Sequence, residues 1–288
     1  MFLCTRIEGF TEEQKTTVTI PPKTARNVTH LPPILEGALD KLTETRVTNI
    51  CTKAVQLDGS ERLILDDTYP VRLLTYDTMI WQVTDPSTGI TEDLSRHIAA
   101  WVTPHALGRV IENLIRKAVE FHPQKVLAGY HGAETPEEQA DIVRRQVKAI
   151  YDALKNEYKI SYVSSPICFG TDMPDATQRV RLPRDSIESR SANCIDCSVL
   201  FASALEHIGI NPVIVLIPGH AFIGWETWQN SGEYQFLETT IIHTSTFEEA
   251  LRKGSEEWQN LFLRLSHSKK KFLPIALLRK DGVLPMSY

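Results

Sequence analysis

The chain reads as an α+β protein in two parts. Residues 1–100 form a small β-sandwich, and residues 101–288 a domain that is helical first and antiparallel sheet afterwards. Three observations predict this. The 288 residues fit about two domains at roughly 150 residues each. The first hundred hold short β-prone runs broken by Asp, Gly and Pro. Beyond Trp101, helices with clear start signals give way to closely spaced apolar strands.

Thr45 to Val55, with Val47, Ile50 and Val55 among threonines, reads as a strand. Asp58-Gly59-Ser60 then turns the chain into a second strand, Glu61 to Leu65. Val71 to Thr75 and Thr78 to Val83 are further strands, while Ile34 to Leu42 fits a helical turn equally well. Thr103-Pro104 reads as an N-cap with proline at the first helical position, opening a helix to about Glu120. Thr135-Pro136-Glu137-Glu138 is a capping box, and Ile142, Val143, Val147, Ile150 and Leu154 make the apolar stripe of the helix behind it. A strand (Lys159 to Val163), a Gly/Asp/Pro-rich loop and an extended piece (Gln178 to Leu182) follow. Next comes a helix that opens at Ser191-Ala192-Asn193-Cys194 and ends at Gly209. Strands over Pro212 to Ile217, His220 to Glu226 and Tyr234 to Thr240, a helix from Phe247 to Leu263 and a strand near Phe272 to Leu278 complete the order.

Composition narrows the function classes. Apolar residues make up 42% and charged residues 23%, the balance of a globular chain with a real core. Thirty-one basic against 36 acidic residues give a net charge of −5, so no broad basic surface for nucleic acid is expected. Lys269-Lys270-Lys271 reads as a solvated face. The densest apolar run, Val213 to Ile217, lies between Pro212 and Pro218 and falls far short of the roughly 18 residues of a membrane span. Charges within Met1 to Glu8 occupy the place of a secretory leader's apolar core, so a cytoplasmic protein with no membrane contact is expected. The cysteines are Cys4, Cys51, Cys168, Cys194 and Cys197, an odd set that does not suggest a secreted disulfide framework. In a reducing compartment such thiols are small hydrophobes, metal ligands or nucleophiles.

Cys194 decides among these. A thiol attacks only as thiolate, and the first turn of a helix favours negative charge through its unpaired N–H groups and dipole. Such a nucleophile needs a base within reach and a third group holding the base. His220 opens a strand one strand-return later, and Glu238 ends the next, so adjacent antiparallel strands can set the two side by side. The reading requires the imidazole to reach the sulfur and the sulfur to have a solvent path.

Asn193-Cys194-Ile195-Asp196-Cys197, then Pro218-Gly219-His220-Ala221-Phe222, then Leu237-Glu238-Thr239-Thr240 resemble the core of the transglutaminase-like superfamily, in its bacterial type. The likeness spans about residues 104 to 245 and is tightest from 191 to 240. It implies a papain-like fold, with Cys194 as nucleophile, His220 as general base and acid, and Glu238 as orienting carboxylate. The family more often carries aspartate and proline where Glu238-Thr239 stands here. Its reaction is thiol attack on an amide carbon, giving an acyl-enzyme resolved by water or an amine. The expected activity is therefore a thiol hydrolase cutting amide bonds in protein or peptide, without metal or cofactor. Transamidation or deamidation of protein glutamine is the alternative outcome. The backbone N–H of Cys194 is one candidate oxyanion donor and Gln178 the side-chain candidate.

Rival readings stay open on the residues alone. Cys194-Ile195-Asp196-Cys197 is also a C-x-x-C, which as a redox pair would make Cys197 the resolving thiol. As a zinc site it would recruit His220 with His207 or His243. Asp196 is explained by the helix dipole, and Trp225 and Trp228 by packing or by a place at the cleft rim. A catalytically silent peptide-binding module, with the N-terminal β-domain docking a protein partner, is the reading from a different class.

Overall fold

The computed structural model describes residues 1–39, 42–57, 61–105, 108–132, 134–165, 168–169, 176–264 and 270–286. The chain divides into two compact units, Met1–Thr78 and Met79–Tyr288. Strand-like character persists to about residue 100, where the sequence suggests the boundary. Met79, Trp81, Ile98, Ala99 and Val102 are nevertheless buried, and Trp81 packs edge-on against Phe169 of the second unit.

The first unit is one antiparallel sheet, where the sequence suggested a sandwich. Its strands are β1 (Phe2–Ile7), β2 (Gln14–Thr17), β3 (Arg46–Leu57) and β4 (Glu61–Leu73), in the order β2-β1-β3-β4. Two expected strands, Glu61 to Leu65 and Val71 to Thr75, are one long strand, because β4 pairs with β3 along its full length. The strand at Phe2 was not foreseen, and it takes the centre of the sheet beside β3. Cys4, Val18, Ala38, Leu42 and Ala54 are buried, whereas Leu63, Ile64 and Tyr69 are each 54% exposed. The register with β3 shifts between Ala54 and Val55, which leaves Ile64 as the extra residue of a β-bulge beside Leu63. The expected turn at Asp58-Gly59-Ser60 lies outside the described residues, as does Lys269 of the basic run.

The second unit opens with β5 (Thr78–Ile80), β6 (Gln82–Thr84), β7 (Thr91–Asp93) and a 3₁₀ helix (Ser95–Trp101). Then come α1 (Val110–Phe121), α2 (Pro136–Asn156), β8 (Ser161–Tyr162), β9 (Thr177–Arg179), α3 (Pro183–Ser189) and β10 (Ser191–Ala192). The remainder is α4 (Cys194–His207), β11 (Pro212–Ile217), β12 (His220–Glu226), β13 (Tyr234–Leu237), α5 (Phe247–Arg264), β14 (Lys271–Pro274) and α6 (Ile275–Lys280). Thr103-Pro104 does not start α1. The Thr103 N–H is held by the Ser203 hydroxyl at 2.9 Å, and Gly108 and Arg109 both have positive φ, which holds the helix off until Val110. Thr135 does cap α2, accepting from Glu138 N–H at 3.2 Å. The half of the last expected strand from Ile275 onward is helix α6.

The main sheet has the order β13-β12-β11-β14, antiparallel throughout. Every residue of β11 except Ile217, and of β12 except His220, is buried, as expected for central strands covered on both faces. All twelve residues from Cys194 to Leu205 are buried, so α4 is a core helix rather than an amphipathic one. Val213, Val215, Phe222, Phe236 and Leu261 form an apolar cluster against which Trp258 of α5 packs, its ring stacked on Phe236 at 4.3 Å.

Gly254 is what lets α5 approach this closely. A Cβ there would lie 2.6 Å from the Phe236 carbonyl oxygen and 2.7 Å from the Leu237 nitrogen. Gly254→Ala gains about 1 kcal/mol of helix propensity, but overpacking against backbone costs about 1–3 kcal/mol. Because backbone atoms cannot yield as a side-chain tip does, net destabilisation is expected. Urea unfolding checks it; a stabilised variant would show that α5 is free to back away.

Candidate active site

The site starts at the tip of α4. Asn193 is the N-cap, its side-chain oxygen accepting Asp196 N–H at 2.9 Å while Asp196 accepts Asn193 N–H at 3.2 Å. This reciprocal box makes Cys194 the first helical residue, where the dipole favours a thiolate. Asp196 also accepts the Arg181 N–H at 2.8 Å, and burial pushes its carboxyl above the usual carboxylate range. Its role is to pin the α4 tip to the chain before α3, in line with the dipole explanation.

His220 opens β12 after the turn at Gly219 (φ 76°). Its ring stands beside Cys194 and Glu238, and both act on its charge. The bond to Glu238 Oε2 comes from Nε2 at 2.7 Å, so Nδ1 is the ring nitrogen left for the thiol. Glu238 is fully buried at the end of β13, where its other oxygen accepts the Thr240 backbone N–H at 2.7 Å and the Thr240 hydroxyl at 2.6 Å. Burial would raise the Glu238 pKa, but the His220 bond and charge outweigh it and hold the carboxyl well below its ordinary range. For His220 burial would lower the value, and the neighbouring Cys194, Glu238 and Glu257 side chains outweigh it upward. Both shifts favour the charged pair, imidazolium against carboxylate, which is the state the ring reaches once it has taken a proton.

Three of the four residues singled out from the sequence thus meet. The fourth, Gln178, lies on β9 in the wall of a neighbouring cavity of about 540 Å³, together with Ser165, Cys168, Arg181 and Asn193. Its Oε1 accepts the Cys168 N–H at 2.9 Å, and its Nε2 is a buried donor with no partner. The solvent path is not met. Cys194 is 0% exposed and is absent from the described wall of that cavity, although His220 beside it keeps 23% of its side chain exposed. Tyr162, on the short strand paired with β10, feels the charges of Cys194, His220 and Glu238.

Glu257 was missed by the sequence reading. It lies on α5, with Oε2 3.3 Å from His220 Nε2, and its side chain meets that of Glu238. The one signal that could have found it is Gly254, a glycine inside a helix, which marks close backbone approach one turn before Glu257. Among the described residues, His220, Glu238 and Glu257 are the grouping whose donor atoms, within 4.8 Å of one another, could converge on a metal ion.

The rival roles of the C-x-x-C find other geometry. Cys197 is buried, and that burial pushes its thiol up, as in a core residue. Cys194 and His207 are the first and last residues of a 14-residue helix, roughly 20 Å apart at about 1.5 Å per residue. His207 therefore cannot join Cys194 on one zinc ion, and its Nδ1 faces the Pro104 carbonyl at 2.8 Å. Trp225 is core, fully buried on β12. No helix among the described residues is long and apolar enough to cross a membrane.

No family model matches the chain, and no curated protein does. Among solved structures it is similar to a "putative protease" of Parabacteroides distasonis, at 10% identity and a TM-score of 0.28. The match covers 67% of this chain and 37% of that one, so the chain spans little more than a third of that protein's length.

Proposed function

We propose that the chain is a thiol-dependent hydrolase of amide bonds in protein or peptide, with Cys194 as nucleophile, His220 as base and acid, and Glu238 as the group that orients His220. One observation carries the reading: a single imidazole stands beside a helix-tip thiol and hydrogen-bonds a buried carboxylate held by two Thr240 donors. His220 takes the thiol proton, and the sulfur attacks the amide carbon, pushing the C=O electron pair onto oxygen. The Cys194 N–H is the donor for that oxyanion. As the C–N bond breaks, His220 gives its proton to the leaving amine, which departs and leaves a thioester. Water, deprotonated by His220, then attacks the thioester, and the Cys194 sulfur leaves. An amine in place of water would give transamidation. Exposed apolar residues of β4 support a protein-docking role for the N-terminal sheet.

The fully buried Cys194 favours a second reading, a silent peptide-binding module. Iodoacetamide labelling of the native protein, followed by peptide mass spectrometry, separates the two. The hydrolase reading expects one thiol to label about tenfold faster than the others at neutral pH, with that fast label lost in Cys194→Ala. Five uniformly slow thiols would support the module instead. If a primary amine enters glutamine side chains faster than peptide bonds are cut, the enzyme is a transamidase.

A further inference from the structure

We propose that Glu257 is a second positioning carboxyl for His220, holding its proton against Glu238 so that one negative charge rather than two faces the imidazole. This deepens the thiol-hydrolase reading and rests on it. The Nε2–H of His220 is committed to Glu238 Oε2 at 2.7 Å, while Glu257 Oε2 lies 3.3 Å from the same nitrogen and is buried without a hydrogen-bond partner. An ionised Glu257 would therefore present an acceptor to a neighbouring acceptor, Glu238, with no proton between them. A protonated Glu257 supplies the missing donor. Two adjoining carboxyls in a largely buried place cannot both ionise readily. The split follows from their settings: Glu238 has two Thr240 donors and the imidazole, whereas Glu257 has none of its own. The shifts agree, with Glu238 lowered and Glu257 raised, the latter chiefly by burial.

Charged groups reach the Glu257 stretch of α5 from several elements, among them Lys270, whose Nζ donates to the Leu261 carbonyl at 3.3 Å. β12 contributes His220, the end of β13 contributes Glu238, and behind His220 stand Cys194 of α4 and Tyr162 of β8. On α5 itself Lys253 and Glu256 are the nearest in sequence. From α2, Lys148 meets Glu248 at 4.0 Å in the first turn of α5, and Lys155 donates to the Ser245 carbonyl just before that helix, away from Glu257.

The consequence is chemical. His220 must surrender its proton to the leaving amine, and each added negative charge at Nε2 makes it a weaker acid. As pH rises and Glu257 ionises, the imidazolium becomes harder to deprotonate. A neutral Glu257 keeps it a competent donor.

Two measurements test the proposal in the full-length protein. With [13Cδ]glutamate labelling, the Glu257 resonance, identified by its loss in Glu257→Gln, is expected to titrate above the other glutamates and to move down in Glu238→Gln. The pH profile of Cys194 labelling by iodoacetamide is expected to carry a step of about threefold from Glu257 ionisation, absent in Glu257→Gln and present in wild type. Glutamine is nearly isosteric, so it keeps the test valid if Glu257→Ala fails to fold. An ordinary Glu257 titration unaffected by Glu238→Gln, or superimposable labelling profiles, overturns the proposal. Fast labelling that survives Cys194→Ala would instead overturn the hydrolase reading itself.

Discussion

Glu238→Gln is expected to lower peptide hydrolysis by about a thousand- to ten-thousand-fold, a loss of roughly 4–5.5 kcal/mol of transition-state stabilisation. The size comes from the direction of hydrogen bonds rather than from lost charge alone. Two Thr240 donors, the backbone N–H and the hydroxyl, converge on Glu238 Oε1. A glutamine there has one oxygen and one NH₂, and the Thr240 donors claim the oxygen. The NH₂ then faces His220 Nε2, which must accept, so the ring proton moves to Nδ1. Nδ1 is the nitrogen needed to take the thiol proton, and the base is lost with the fold intact. Steady-state hydrolysis alongside urea unfolding checks this. A Glu238→Gln variant within tenfold of wild type would mean that His220 is not the base.

Arg279→Ala is expected to destabilise the second unit by about 3–5 kcal/mol, a large share of the roughly 5–15 kcal/mol that holds a typical domain folded. Arg279, on α6, forms a two-pronged pair with Glu206 near the end of α4, at 2.9 Å for both Nε and Nη2. Its remaining hydrogens reach the carbonyls of Ala99, Val102 and Val283 at 2.7–2.8 Å. Arg279 and Glu206 are 17% and 23% exposed, so removing the guanidinium leaves a mostly buried carboxylate and three carbonyls without this donor. Lysine cannot restore the planar fork, so Arg279→Lys is expected to recover only part of the loss. A urea midpoint within error of wild type would refute the role.

What was legible in the sequence is what local chemistry determines. Asn193 and Asp196 cap one another three residues apart, so the start of α4 and the place of Cys194 at its tip could be read directly. β11 and β12 were legible too, because Gly219 turns one apolar run into the next. The N-terminal sandwich was misjudged because alternation identifies strands but does not say whether a second sheet covers them. Thr103-Pro104 carried a valid cap signal, but a tertiary partner, Ser203, holds the Thr103 N–H. Helix α3 was overlooked although Pro183 sits at its first turn. Glu257 had no local pattern at all, since its meeting with His220 arises only when α5 folds back onto β13. Burial of the sulfur was equally invisible, being set by neighbours distant along the chain.

The backbone N–H of Glu238 donates to the Ala250 carbonyl of α5 at 3.0 Å, four residues before the glycine that lets the helix touch β13. Anyone transplanting this thiol, imidazole and acid into a foreign scaffold must therefore move the whole of α5 with them. A graft that ends at Thr240 would carry the right side chains but sever the peptide clamp that fixes the height of the acid above the sheet.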